Sequence, residues 1–107
     1  MRSADIFLFG RLAGRLVEYD EGGYSFRYDS GYLSLPDAQP LSFSLPLRPE
    51  PFPSRFLHSF FDGLIPEGWL LDIAEETWKI NPRDRMGLLL ACCRDCIGAA
   101  SVREAGQ

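Results

Sequence analysis

The stretch DEGGYSFRYD, at residues 20–29, predicts the architecture of the first half of the chain. Two acidic residues and two glycines form a strong turn signal. The residues that follow alternate, with Tyr24, Phe26 and Tyr28 on one side and polar residues on the other, which is typical of a half-buried strand. Short apolar segments precede the turn at residues 5–10 and 11–19. The order strand, glycine turn, strand therefore predicts an antiparallel meander.

The stretch PLSFSLPLRPEPFP, at residues 40–53, repeats the alternation. Its apolar positions are separated by serines in the first half of the stretch: Leu41, Phe43, Leu45 and Leu47. Five prolines lie in the same segment. Because proline cannot donate a hydrogen bond to a sheet ladder, the pattern predicts an edge strand followed by an extended loop.

The second half of the chain has helical patterns. Ser54 is the predicted N-cap of a short helix over residues 55–62, with Phe56, Phe60 and Phe61 on or near one face. A glycine ends this helix, and a proline suits the first turn of the next one. Residues 66–79 place apolar side chains at helical spacing, with most acidic side chains on the other face.

A third helix is predicted to begin at Asn81, which is an N-cap residue followed by a proline. Residues 97–102 then read as a last short strand that returns to the sheet. The predicted fold class is α+β, with a small antiparallel sheet or partly closed barrel in the N-terminal half and about three helices. Residues 1–107 form a single domain, in which residues 103–107 are expected to be a flexible tail.

The composition of the 107 residues is that of an ordinary globular domain, with 46% hydrophobic residues and a net charge of −4. No apolar run approaches the ~20 residues that a membrane span needs, and the N-terminus lacks a signal-peptide pattern. A cytoplasmic protein is therefore expected. Nucleic-acid binders usually carry a basic face, so direct binding of DNA or RNA is not expected.

The chain has three cysteines, Cys92, Cys93 and Cys96, which cluster within five positions. A structural zinc site needs four ligands, and a redox-active CxxC motif usually lies at a helix N-terminus. Here the motif falls near the end of a predicted helix. Structural cysteines are the favoured interpretation, with a metal or redox role as the alternatives, and no cofactor or metal is expected.

The single histidine, His58, lies on the short aromatic helix. Nucleophilic catalysis would need a serine or cysteine beside it and an acid that orients it, and no spacing predicts such a triad. Phosphate-binding loops, zinc-hydrolase motifs and kinase catalytic motifs do not occur in the sequence. We therefore expect His58 to be a packed or surface residue, and we expect the protein not to be an enzyme.

The stretch FFDGLIPEGW, at residues 60–69, reads as a corner between two helices. Phe60 and Phe61 are expected to anchor the core. Leu64, Ile65 and Trp69 are expected to be exposed, because they lie at a turn defined by glycine and proline. Exposed apolar residues beside acids are typical of protein interfaces. The predicted partner-binding surface comprises Asp62, Leu64, Ile65, Pro66, Glu67 and Trp69.

Three segments together resemble a known family: PLSFSLPLR at residues 40–48, FFDGLIPEG at 60–68 and RDCIGAASV at 94–102. Their order and spacing are similar to those of the N-terminal subdomain of HipA-type serine/threonine kinases of toxin–antitoxin modules. Each motif alone is weak, but three in order are fairly specific. The resemblance covers nearly the whole chain and implies a HipA N-terminal-subdomain-like fold.

The kinase core of that family would follow the last residue, Gln107, so no catalytic residue can be carried over to this chain. The resemblance implies a HipS-type antitoxin, the small component of split HipBST-type modules. Such a protein would bind and neutralise a separately encoded HipT-like serine/threonine kinase toxin. A HipB-like DNA-binding protein would complete a ternary complex. The alternative is an activating or scaffold subunit that completes a split kinase.

Overall fold

The computed structural model describes residues 2–65, 84–92 and 100–104. These residues form a five-stranded antiparallel sheet and three short helices. The strands are β1 (Arg2–Leu8), β2 (Arg11–Glu18), β3 (Tyr24–Tyr28), β4 (Phe52–Ser54) and β5 (Ala100–Glu104), in the spatial order β4-β3-β2-β1-β5. The helices are α1 (Ser30–Leu33), α2 (Ser59–Asp62) and α3 (Arg85–Cys92). The predicted α+β class is confirmed.

The last strand returns to the sheet, as predicted, and pairs with β1. Its described residues are Ala100–Glu104, while residues 97–99 of the predicted strand lie outside the described residues. Arg103 and Glu104 therefore belong to the sheet and not to the tail expected from residue 103. Residues 105–107 lie outside the described residues.

The turn between β2 and β3 confirms the glycine signal in the sequence. Gly22 and Gly23 have positive φ angles of 97° and 90°, in a region that side chains with a Cβ rarely enter. The backbone N–H of Tyr19 donates to the carbonyl of Gly23 at 3.0 Å, which closes the turn. The two strands that it joins form the predicted antiparallel meander with β1.

A β-bulge interrupts the pairing of β1 and β2. Ile6 lies opposite Gly14 and Phe7 lies opposite Leu12, so Ala13 is the extra residue. The bulge breaks the alternation of the strand, and both Ala13 and Gly14 are buried.

Gly14 allows a close approach of the neighbouring strand. A Cβ atom at this position would overlap the carbonyl oxygen of Arg27 and would lie 2.7 Å from a ring carbon of Phe26. Side chains do not tolerate such distances without a shift of the backbone. The phenyl ring of Phe26 can therefore lie against β2 only because residue 14 is glycine.

Phe26 is the centre of an aromatic cluster. Its ring centroid lies 4.9 Å from that of Tyr28, 5.3 Å from that of Phe61 and 6.3 Å from that of Phe52. Phe61 is fully buried, and Phe60 is partly buried against the same core. The expectation that Phe60 and Phe61 anchor the core is confirmed.

The segment at residues 40–53 differs from the predicted alternating strand. Leu41 and Leu45 are buried, but Phe43 is fully exposed at the tip of a tight turn between Ser42 and Leu45. The hydroxyl of Tyr28 accepts a hydrogen bond from the N–H of Leu41 at 2.9 Å and donates one to the carbonyl of Leu45. The predicted edge strand over the alternating residues is wrong because this hydroxyl binds both sides of the turn. The edge strand is β4, at the end of the segment.

Two helices begin later than the sequence predicts. Ser54 ends β4, and its hydroxyl accepts from the N–H of Phe56 at 3.3 Å, so α2 begins only at Ser59. For α3, the carboxylate of Asp84 accepts from the N–H of Gly87 at 3.1 Å, which caps a helix that begins at Arg85, while the predicted cap Asn81 lies outside the described residues.

One helix was not expected from the sequence, and another expected helix cannot be compared. The short helix α1 follows Asp29, whose carboxylate accepts from the N–H of Tyr32 at 3.2 Å. The predicted helix over residues 66–79 lies outside the described residues. In the described ranges, no helix has the length and apolar character that a membrane span would need.

His58 is a packed residue at the edge of the aromatic cluster. Its Nε2 lies 2.7 Å from the carbonyl oxygen of Phe52, and its ring meets that of Phe61 edge-on at 5.7 Å. Its Nδ1 is buried without a hydrogen-bond partner in the described structure. Burial lowers the pKa of His58, because a proton on Nδ1 would add a buried charge without an acceptor.

Replacing Phe61 with alanine is expected to lower the free energy of unfolding by about 3–5 kcal/mol. The reason is that a fully buried ring would be replaced by a cavity beside Phe26 and His58. Urea unfolding followed by tryptophan fluorescence or circular dichroism measures the loss. The control is Phe43→Ala, which removes an exposed ring and should change the stability by less than about 0.5 kcal/mol. Equal losses for the two variants would contradict the packing described here.

The stability of the protein is expected to fall as the pH drops below about 6.5, the usual pKa of histidine. Because the pKa of His58 is lowered in the folded state, the unfolded chain takes up the proton first, and this favours unfolding. Urea midpoints between about pH 7.5 and pH 5.5 measure the slope. Since the chain has one histidine, the His58→Gln variant should lose the dependence in this range. An unchanged slope in that variant would refute the assignment.

Candidate functional site

A groove lies beside the corner that follows α2. It has a volume of about 480 Å³, and it is formed by the β2–β3 turn, the segment after β4 and the facing ends of α2 and α3. We refer to it as the corner groove. Its lining residues are Glu18, Gly22, Gly23, Tyr24, Arg55, Phe56, Leu57, Asp62 and Arg85.

An ion-pair network fixes one wall of the corner groove. Arg2 donates from Nε to Glu18 at 2.7 Å and from its two terminal nitrogens to Asp84 at 2.6 and 3.0 Å. The hydrogen bonds from Arg2 lower the pKa of Asp84, and the same bonds raise the pKa of Arg2. Because Asp84 also caps α3, the network fixes the start of this helix against β1 and β2.

Tyr24 contributes a neutral donor to the same wall. Its hydroxyl donates to Glu18 at 3.4 Å. Burial raises the pKa of Tyr24, and the nearby carboxylate of Glu18 raises it further. The phenol therefore keeps its proton at neutral pH, and Arg2 is the group that forms the ion pair with Glu18.

The opposite wall of the groove is the contact between α2 and α3. Arg85 donates from Nε to Asp62 at 2.7 Å, so Asp62 faces a cation and not only solvent. Of Asp62, Leu64 and Ile65, the predicted partner-binding residues that the structure describes, Asp62 is the one that lines the corner groove.

The turn after α2 corrects the expectation for Ile65. This side chain was expected to be exposed, but it is only 3% exposed and belongs to the core. Leu64 is partly buried against the same core. The N–H groups of Leu64 and Ile65 donate to the carbonyls of Phe61 and Asp62 at 3.0 and 3.2 Å. These bonds turn the chain back on itself, and Ile65 points inward as a result.

The remaining predicted site residues lie outside the described residues. They are Pro66, Glu67 and Trp69. Cys93 and Cys96 lie outside as well, while Cys92 is the last residue of α3. A binding role for the first three and a structural role for the cysteines therefore stay predictions.

Two exposed phenylalanines were missed by the sequence analysis. Phe56 is 77% exposed and lines the corner groove, whereas the sequence placed it with Phe60 and Phe61 on or near one face of a short helix. Phe43 is fully exposed at the tip of its turn. The density of prolines around both residues was the available signal, because it disfavours the regular periodicity that the patterns assumed.

The corner groove has the chemistry of a protein-binding surface. Phe56 and Leu57 supply apolar area, and the exposed guanidinium of Arg55 adds a cation beside it. In the described part of the chain, no three His, Cys, Asp or Glu side chains come close enough together to hold a metal ion. An apolar patch beside charged groups favours contact with another protein.

Comparisons with known proteins extend over the whole chain. The family model of the HipA N-terminal domain matches residues 4–103. A protein of Haemophilus influenzae is 35% identical over 107 residues, which cover 100% of this chain and 96% of the relative. "Putative kinase Y4mE" of Sinorhizobium fredii is 31% identical over the same length, but the match covers only 26% of that longer protein.

Comparison of the fold with solved structures points to the same family. The solved structure of the "N-terminal domain of HipA toxin" superposes with a TM-score of 0.70 and 31% sequence identity, covering 100% of this chain and 95% of that chain. The sequence resemblance and the predicted fold are both confirmed by this match. With a family model that spans nearly all of its residues, the chain belongs to the HipA N-terminal domain family.

Proposed function

We propose that this protein is an antitoxin that binds a separately encoded HipA-like serine/threonine kinase toxin, of the HipT type, and holds it inactive. The observation that carries the proposal is the share of each relative's length that this domain covers. The same domain makes up 26% of a longer protein named as a kinase and 96% of a short protein of Haemophilus influenzae. A domain that packs against the rest of a kinase chain can bind the same surface as a separate subunit.

The corner groove supports binding of this kind. Phe56 offers exposed apolar area, and Asp62 and Arg85 supply a paired charge at its side. Aromatic residues surrounded by polar groups are the usual anchors of protein interfaces. We propose that the contact surface extends from this groove to Leu64, Pro66, Glu67 and Trp69.

The mechanism is equilibrium binding without chemistry by this chain. A subunit can shift a kinase toward an inactive conformation only by as much as it binds that conformation more tightly. A roughly 100-fold preference corresponds to about 2.7 kcal/mol. We further propose that the complex forms in the cytoplasm and that a HipB-like DNA-binding protein completes it.

The second candidate function is an activating or scaffold subunit. It is favoured by the same comparison, because a domain present in a protein named as a kinase can also stabilise a competent kinase core. Inhibition and activation differ in the sign of the effect on the partner, so one experiment separates them.

Purified protein added to the partner kinase is expected to reduce both autophosphorylation and substrate phosphorylation. The physical reason is that occupation of the interface removes the active conformation from the equilibrium. Radiolabelled phosphate transfer measures the activity, and co-expression with the kinase should restore growth. Activity or toxicity that appears only when both chains are present would support the alternative instead. No effect on the kinase would refute both functions.

The variants Phe56→Ala and Trp69→Ala are each expected to weaken binding to the kinase by about 1–3 kcal/mol. Loss of an interface anchor acts on the affinity and not on folding. Titration calorimetry measures the change, and circular dichroism shows whether the domain is intact.

The matched control is Phe9→Ala. Phe9 is 69% exposed, but it lies in the β1–β2 turn and does not line the corner groove. This variant should bind as tightly as the unmodified protein. If it weakens binding as much as Phe56→Ala, the interface lies elsewhere. If Trp69→Ala unfolds the domain, Trp69 is a core residue.

A further inference from the structure

The outer face of the sheet carries charged residues in one row. Along β1, Ala4 and Ile6 are buried in the core, so Asp5 between them faces outward. Its cross-strand neighbours are Arg15 on β2 and Arg103 on β5, and Arg15 in turn lies opposite Arg27 on β3. We refer to Arg27, Arg15 and Arg103, with Asp5 between the last two, as the arginine row.

The charges in this row are not balanced. Arg15 donates from Nε to Asp5 at 3.1 Å. Asp5 is the one carboxylate in the row, which has three guanidinium groups. Arg103 lies over the ring of Phe7 at 5.6 Å, and Arg27 has no ion-pair partner within the described ranges. The row is therefore a local excess of positive charge on a chain whose net charge is −4.

The arrangement is unfavourable for the isolated domain. Arg15 and Arg27 lie directly opposite each other on neighbouring strands, and like charges in this position destabilise a sheet. Several other arginines of this protein are placed beside carboxylates, among them Arg2 beside Asp84 and Arg11 beside Asp37. Stability alone does not explain the row, whereas a bound anionic group would.

A concave surface borders the row. A groove of about 360 Å³ has Arg15 and Arg27 on its sides, together with Leu12 and the backbone of Gly14. Asp5 and Asp29 also line it, but Asp5 is paired with Arg15 and the carboxylate of Asp29 accepts a hydrogen bond from the first turn of α1. The groove can therefore receive side chains that reach the two guanidinium groups from solvent.

We propose that the arginine row binds a short, extended acidic segment of a partner protein, whose carboxylates contact Arg27, Arg15 and Arg103. Four strands that are each ~4.8 Å apart make a row of about 14 Å, which four or five extended residues cover. The planar guanidinium group matches a carboxylate with two parallel hydrogen bonds.

A carboxylate segment fits better than a nucleic acid. A chain with a net charge of −4 repels a long polyanion at a distance, whereas a short acidic segment needs only the local excess of charge. The row lies on the outer face, while Glu18 and Tyr24 of the corner groove lie with the helices. The proposal is therefore independent of the kinase interface.

The test is fluorescence anisotropy with a fluorescein-labelled peptide of about 12 residues in which glutamate alternates with serine, a length that exceeds the row. We expect binding at low salt that weakens as NaCl is raised. Arg27→Gln and Arg103→Gln should each weaken it by about 3- to 10-fold, because each removes one charged contact.

The matched control is Arg55→Gln, which removes the same charge from an exposed arginine of the corner groove. It should change the affinity by less than about 2-fold. An equal loss with this variant would show nonspecific attraction and would overturn the proposal, as would the absence of binding. Tighter binding of a thymidine oligonucleotide that depends on the same arginines would assign the row to nucleic acid instead. None of these measurements involves the kinase, so the two proposals can fail separately.

Discussion

The contact between the ring of Phe26 and the backbone of Gly14 is the constraint on which the rest of the fold depends. With no Cβ at residue 14, the ring lies directly against β2 and leaves room for further aromatic side chains on its other sides. Phe52 and Phe61 use that room. One close approach between two strands thus fixes the position of the edge strand and of α2 against the meander.

The β-bulge beside this contact also affects which side chains are exposed near the end of β3. The carbonyl of Ala13, the extra residue, accepts from the N–H of Asp29 at 2.8 Å, and Asp29 in turn caps α1. The preceding residue, Tyr28, binds both sides of the tight turn that exposes Phe43. The exposure of Phe43 therefore depends on the packing of β2 and β3, and the prolines around Phe43 signal only that the alternation is interrupted.

This dependence explains how far the sequence could predict the structure. The meander was predictable because the glycine turn and the alternation of β3 are local signals. Leu41, Phe43 and Leu45 were all expected on one side of a strand. Leu41 and Leu45 are both buried, but Phe43 is exposed because a hydroxyl from another strand bends the segment between them. The expected exposure of Ile65 was wrong for a related reason. Backbone hydrogen bonds after α2 turn this side chain inward, and no residue type signals these bonds.

For the site, the position of Asp62 was predictable because an acid beside a glycine turn at a helix end is a local feature, and its binding role stays a prediction. Phe56 was missed because its exposure depends on where β4 ends. The family could be recognised from three ordered segments, although residue chemistry alone only argued against an enzyme. Patterns thus identify the class of protein more readily than the individual contact residues, whose exposure is decided by distant hydrogen bonds.

The two faces of the sheet differ in the physics of binding that they can support. In the corner groove, Arg2 and Arg85 are already paired with carboxylates, so binding there relies more on the burial of apolar groups such as Phe56. On the outer face, the excess charge of Arg27 and Arg103 acts over a distance and is screened by salt. Charge of this kind governs the rate of association and the choice of partner more than the final affinity. If both surfaces are occupied in one assembly, high salt should release the partner on the outer face and leave the contact at the groove intact.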